Sequence, residues 1–247
     1  MIACLPMYDF AHLRAAHDQF WALIRAELGF GPAQLTRDPD IWAQWQSADL
    51  VVGQTCGMPY RERLHDKVSY VLTPDYGIEG CPAGYYNSLI LSANADRDLM
   101  SYDQGRFAYN DALSQSGWAG PVTYLTRHGI RPAVGVETGA HVQSMWAVRE
   151  GRADFCAVDA NTYALALVEY PELASLHIIA RTDPTPALPY ICATRFDAAR
   201  VAAAVQNAFT SLEQNQKSQM RLRGFIRLST DEYLSVPSPT SPDKLFS

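Results

Sequence analysis

The apolar positions of this 247-residue chain switch repeatedly between two patterns. Positions 2–5 and 50–53 are short apolar runs, the pattern of buried strands, and Val68-Ser69-Tyr70-Val71-Leu72 reads as a further strand. Between the first two, Phe10, Leu13, Phe20, Leu23, Ile24 and Leu28 recur at helical spacing. They predict a helix over about 10–29, capped by Asp9 and closed by Gly29. Trp42 and Trp45 mark a second, shorter helix. Residues 73–84, rich in Gly, Pro and Asp, read as a loop leading out of a first lobe. A strand at 86–92 follows, and then a second αβ series. Its strands fall at 106–109, 133–136, 153–158 and 176–180, and its helices at 115–128, 140–150 and 160–169. Asp183-Pro184-Thr185-Pro186 is a second break. A strand at 188–193 follows it, then a long helix capped by Asp197 and a shorter one. The segment 236–242 is so rich in proline that no regular structure is expected there.

Strands alternating with helices predict an α/β fold of mostly parallel sheets flanked by helices. Two breaks around one series predict an inserted lobe. The expected division is residues 1–85 plus 188–247 in lobe 1 and 86–187 in lobe 2. Ligands in such folds bind outside the carboxyl ends of strands, which here means an interlobe cleft.

Composition narrows the partners. Twenty Lys and Arg against 26 Asp and Glu give a net charge of −6, which argues against nucleic acid. No apolar run is long enough to span a bilayer, so membrane insertion is not expected. Cys4, Cys56, Cys81, Cys156 and Cys192 show no zinc-like spacing, and they read as small hydrophobes. No metal or cofactor is implied. No signal peptide is visible at the first residues. The expectation is therefore periplasmic if a leader has been removed and cytoplasmic if the chain is complete.

The chemistry concentrates at strand-to-helix junctions. Ser114, Gln115, Ser116 and Gly117 lie where a helix begins, and the first amides of a helix lack internal partners and carry partial positive charge. With no Lys or Arg between Arg106 and Arg127, an anion there would be held by neutral donors. An ordinary serine cap is the simpler reading. Gln54 and Thr55 follow the strand at 50–53, with Tyr60 close behind, and Tyr8 follows the first strand. His141 would lie in the first turn of its helix, behind a Thr138 cap. Asp159 ends a buried strand, as a helix cap or as an acceptor for a protonated ligand group. Tyr85, Tyr86 and Trp118 are further aromatic surface. There is no G-x-S-x-G, HExxH or Walker A pattern.

Asn110-Asp111-x-x-Ser114-Gln115-Ser116-Gly117 resembles the N-D-x-x-S-x-S-G anion-binding turn of the phosphonate/phosphite/phosphate-binding proteins of ABC transporters. Thr138-Gly139-Ala140-His141, then Ala147-Val148-x-x-Gly151-Arg152-Ala153-Asp154, resembles a second block of that family. Met7-Tyr8 and Cys56-Gly57-x-Pro59-Tyr60 resemble a subgroup of it. The resemblance implies a two-lobed type II periplasmic-binding-protein-like fold, with no catalytic residues and an ABC permease as partner. It implies that Ser114, Gln115, Ser116 and His141 contact the phosphonate or phosphate group. Val142 stands where the family often has Glu, so an acidic partner for an aminoalkyl substituent is not implied. Two alternatives use the same scaffold. One is an enzyme of the menaquinone or thiamine-pyrimidine type, with His141 and Asp159 as acid and base. The other is a ligand-sensing module.

Overall fold

The computed structural model describes all 247 residues. The chain divides into two compact units. The first comprises Met1–Tyr85 and Pro186–Ser235, and the second Tyr86–Thr185 and Val236–Ser247.

The first unit carries a five-stranded sheet ordered β1 (Ile2–Cys4), β2 (Leu50–Gln54), β11 (Tyr190–Ala193), β3 (Val68–Asp75) and β12 (Gly224–Ile226). β1 and β2 are parallel, β11 is antiparallel to both β2 and β3, and β12 is antiparallel to β3. The sheet is therefore mixed rather than mostly parallel, yet β1, β2 and β3 point the same way and finish at one edge. α1 (Arg14–Leu28) packs against α7 (Ala198–Ser211) beside it. Gly29 closes α1 as expected, in the left-handed conformation. Asp9 does not cap it. That carboxylate is bonded to Arg37 at 2.9 Å, and the chain enters α1 through a 3-10 turn at Ala11–Leu13.

Tyr60 sits at the centre of this unit, not at a rim. Its ring is fully buried and meets Tyr233 edge-on at 5.2 Å, among Leu64, Val68 and Ile191. Hydroxyls are satisfied inside the same core. Thr73 Oγ1 lies 2.6 Å from the Tyr233 hydroxyl, which donates to the Ala187 carbonyl at 2.7 Å. Burial without a bonding partner would make each of these groups costly.

The second unit's sheet is ordered β7 (Val134–Glu137), β6 (Arg106–Tyr109), β8 (Phe155–Asp159), β5 (Ser88–Ser92) and β9 (His177–Arg181). β7, β6 and β8 are parallel, and β5 runs antiparallel to β8 and β9. This sheet too is mixed, because β5 enters against the direction of its neighbours. The short strands β4 (Tyr85–Tyr86) and β10 (Thr185–Pro186), where the chain passes between units, pair with each other. α4 (Gly120–Arg127), α5 (His141–Arg149) and α6 (Ala160–Glu169) follow β6, β7 and β8. No helix is long and apolar enough to cross a membrane.

The core of the second unit is aromatic. Phe107 stacks on Phe155 at 5.0 Å, and Tyr109 lies 4.7 Å from Trp118. Trp118 is fully buried and is not surface for a ligand. The closing segment belongs here, not with the first unit, and it contains a short helix, Pro242–Leu245. Proline at its first position costs nothing, since that amide has no helical partner. Trp118 Nε1 donates to the Thr240 carbonyl at 3.2 Å, and Phe246 packs edge-on against the Trp118 ring at 5.8 Å. A Cβ on Gly135 would overlap the Phe246 ring.

The buried thiols are inert. Burial pushes Cys4 and Cys192 up to about 12 and raises Cys156 as well, so none supplies a thiolate at neutral pH.

Phe246→Ala should lower unfolding stability by about 1–3 kcal/mol, less than for a fully enclosed ring because Phe246 is partly exposed. Chemical denaturation with Trp fluorescence would read it, and a midpoint unchanged from the parent would show that the segment is not part of the core.

Candidate functional site

The second unit builds its candidate site where β6 and β7 end. After β6 the chain turns at Asn110 and Asp111. The Ser114 amide donates to the Asp111 carbonyl at 3.0 Å, and the Leu113 amide to Asp111 Oδ1 at 2.6 Å. Ser114 then flanks a π-helical turn, Gln115–Ala119, and its Oγ accepts from the Gly117 amide at 2.9 Å. The serine cap expected from the sequence is present. It consumes one donor of the turn, while the Ser116 amide donates to no group of the chain. A Cβ on Gly117 would overlap Asn110 Oδ1, so only glycine lets that side chain lie across the turn. Asn110 Oδ1 is itself buried without a hydrogen-bond partner.

The β7 junction is laced to this turn. The parallel β6–β7 ladder is prolonged by two bonds, Thr138 N–H to the Tyr109 carbonyl at 2.9 Å and Gly139 N–H to the Asn110 carbonyl at 3.0 Å. Gly139 has φ +81, which a residue with a side chain adopts only at a cost. The kink delivers His141 as the first residue of α5, and its Nε2 lies 3.0 Å from Ser116 Oγ. Thr138 does not cap α5. Ala140 holds that position, and the Thr138 hydroxyl lies 2.7 Å from Ser144 Oγ, tying the loop down.

His141 is neutral. Burial lowers its pKa to about 4, against a smaller raising effect of the Ala157 backbone carbonyl. No carboxylate contributes to that shift. Nδ1 is buried and makes no hydrogen bond of good geometry. The Ser116–His141 contact therefore has the spacing of a nucleophile and base but lacks an acidic residue orienting the imidazole. Asp159 Oδ1 accepts from the Asn161 and Thr162 amides at 2.6 and 3.0 Å, so the helix-cap role is filled. No group of His, Cys, Asp or Glu residues has the arrangement needed to hold a metal ion.

In the first unit, Tyr8, Gln54 and Thr55 lie at the ends of β1 and β2, all buried. Gln54 Nε2 donates to the Tyr76 hydroxyl at 2.9 Å, and Tyr8 meets the Tyr76 ring edge-on at 5.1 Å. The Thr55 amide donates to the Pro189 carbonyl, and its hydroxyl has only a 3.5 Å approach to the Cys56 carbonyl. Tyr76 thus joins two of the expected residues, and sequence reasoning missed it. It lies in the segment read as a lobe exit. The signal was an aromatic placed directly after a strand, as Tyr8 comes after β1 and Gln54 closes β2. Tyr85, expected as aromatic surface, instead donates its hydroxyl to Glu232 at 2.8 Å, and Tyr86 is buried.

Comparison with known proteins agrees with this architecture. Among solved structures, PhnD1 from Prochlorococcus marinus in complex with methylphosphonate superposes with a TM-score of 0.72 at 14% identity, over 94% of this chain and 93% of that one. A binding-protein component of an ABC phosphonate transporter from Pseudomonas aeruginosa gives 0.70 at 13%, over 94% and 82%. A protein from Xanthomonas citri bound to ATP gives 0.67 at 14%, over 99% and 95%. At such identities the likeness shows the fold, which is type II periplasmic-binding-protein-like. No curated protein matches the sequence. The family model described as "ABC transporter, phosphonate, periplasmic substrate-binding protein" matches residues 2–233. This chain belongs to that family, whose members are substrate-binding proteins of ABC transporters and not enzymes.

Proposed function

We propose that the protein captures a small phosphonate- or phosphate-class oxyanion through Ser114, Gln115, Ser116, Gly117 and His141, and delivers it from the periplasm to an ABC permease. The contact between Ser116 Oγ and His141 Nε2 carries the reading. It brings together side chains from two junctions that the sequence treats as separate, beside a backbone amide with no partner in the chain. Neutral donors suit an oxyanion that must also be released, because they supply directed hydrogen bonds without an ion pair's depth. Phosphorus oxyanions are also common to the methylphosphonate and ATP named for the Prochlorococcus and Xanthomonas structures. Tyr8, Gln54 and Thr55 are the first unit's proposed contacts. Tyr60 is withdrawn from the set because it is core, and Asp159 is kept as the support of α6.

Binding without turnover follows from the same geometry. A neutral imidazole with no carboxylate behind it is a poor general base for the serine beside it. It remains a good donor or acceptor to an anion's oxygens.

Ser116→Ala should weaken methylphosphonate binding, read by titration calorimetry, by about 1–3 kcal/mol, the cost of leaving a charged acceptor short of a donor. Unaltered affinity would remove the turn from the site. A second expectation concerns pH. The unfolded chain binds a proton at His141 near pH 6.5 and the folded chain near 4. In that window the unfolded state holds more protons, so stability falls as pH drops through it and is fully present above it. Denaturation at pH 7 and pH 4.5 should cost the parent about 1–3 kcal/mol more than His141→Gln, which has no such group. Equal losses would mean that His141 is not buried as a neutral ring.

A further inference from the structure

The junction of β6 and β7 is built without formal positive charge. No Lys or Arg side chain bonds to Asn110, Ser114, Ser116, Gly117 or His141. Arg106 opens β6, at the strand's other end, and is bonded to Asp154 at 2.8 Å. Arg127 and Arg149 close α4 and α5, each about 12 Å or more along the chain's helical path from the junction. No cation shifts His141, whose ring is neutral. The charges gathered at the end of β6 are negative. Burial raises the Tyr109 hydroxyl, and Glu137, Asp243 and Asp111 raise it further. On β8, Cys156 is raised and stays a thiol, and Asp159 caps α6.

Hydrogens at this junction are few. A neutral imidazole carries one N–H and Ser116 one O–H, and their 3.0 Å contact uses one of the two. If Nδ1 bears the ring hydrogen, Ser116 gives its own to Nε2 and none faces a ligand. If Nε2 bears it, Ser116 Oγ accepts and its O–H is left to donate. The pair therefore offers a ligand one donor at most. Beside it stands an acceptor. Asn110 Oδ1 is buried without a partner and lies against Gly117, where a Cβ would overlap it. A bare anionic oxygen placed there meets a like partial charge, whereas a P–OH group satisfies it.

Desolvation points the same way. Ser114 and Ser116 are buried, so an oxyanion that reaches them sheds much of its water. The cost of drying an ion grows with the square of its charge. A dianion therefore loses about four times as much hydration as a monoanion, and no cation among these groups offsets it.

We infer that the site takes its oxyanion as the monoanion, with one oxygen still protonated and donating to Asn110 Oδ1. Asn110 then decides which protonation state is admitted. Resting on the oxyanion reading above, this narrows the ligand class. Phosphonates and phosphates are held while they keep one proton. A sulfonate, equally charged but with no proton to give, is held less tightly.

Methylphosphonate binding is measured by titration calorimetry over about pH 5.5–8.5, which spans the second ionisation of phosphoryl groups and stays above the His141 pKa of about 4. Phosphorus NMR in the same buffers fixes the free ligand's second pKa. Below that pKa the affinity should be flat. Above it, affinity should fall about tenfold per pH unit, with uptake of one proton per ligand, read from heats in two buffers of unlike ionisation enthalpy. Affinity that stays level or rises through the second ionisation would overturn the monoanion and leave the oxyanion reading standing. No binding at any pH would overturn both. Below the second pKa, methanesulfonate should bind the parent roughly tenfold more weakly than methylphosphonate, the scale of one lost hydrogen bond to a charged group. Asn110→Ala, with its fold checked by its unfolding midpoint, should close most of that gap by weakening methylphosphonate more. Equal affinities in the parent, or a gap that survives in the folded variant, would overturn the part given to Asn110. The parent's pH profile decides the charge state whether or not that variant folds.

Discussion

The burial of Trp118 holds the rest of the site in place. It follows Gly117 directly and is enclosed by Phe107, Tyr109 and Phe246. A large ring sunk into the core leaves the preceding residues no freedom to pivot, so Ser114–Gly117 is anchored from behind. From the front, the Ser114 cap and the Asn110 side chain lying across Gly117 close the remaining play. The anion site of neutral donors that we propose needs this rigidity. Each hydrogen bond contributes only modestly, and the sum is useful only if no ordering is left to be done on binding.

The proposed oxyanion site of the second unit offers amides, hydroxyls and an imidazole kept uncharged by burial. On that proposal its specificity comes from geometry, because oxygens of the right spacing are needed to satisfy donors pointing in fixed directions.

Much of the second unit was legible from the chain because its signals are local. Apolar runs located β6, β7 and β8, and the residues just beyond each strand's end supplied the candidate donors. Ser114 and Asp159 were legible as caps for the same reason. What was not legible depended on partners distant in sequence. Nothing near Asp9 says that Arg37 will take its carboxylate in place of the first turn of α1. Tyr60 looked like a rim residue because it follows a glycine turn, and only Tyr233, far along the chain, makes it core. β12 is three residues long and has no periodicity of its own, since its pairing with β3 defines it. The reversed direction of β5 and β11 was not legible, because alternation gives the number of crossovers and not the direction in which a crossing strand is inserted.

The closing segment shows how a composition rule can fail by being applied to the wrong scale. Proline excludes the interior of a long helix, but 236–247 needs only one turn of helix and a few anchoring contacts. Its anchors are specific: a carbonyl at Thr240 for the otherwise unpaired Trp118 Nε1, and the Phe246 ring over a glycine that leaves room for it. Buried indole nitrogens need such an acceptor, and no residue of 86–185 provides this one. The second unit is thus incomplete as a continuous insertion. Its core closes only when the last residues of the chain, separated from it in sequence by the return through the first unit, come back to cover Trp118. Order at the Ser114–Gly117 turn therefore depends on residues more than a hundred positions away, through the one ring that both share.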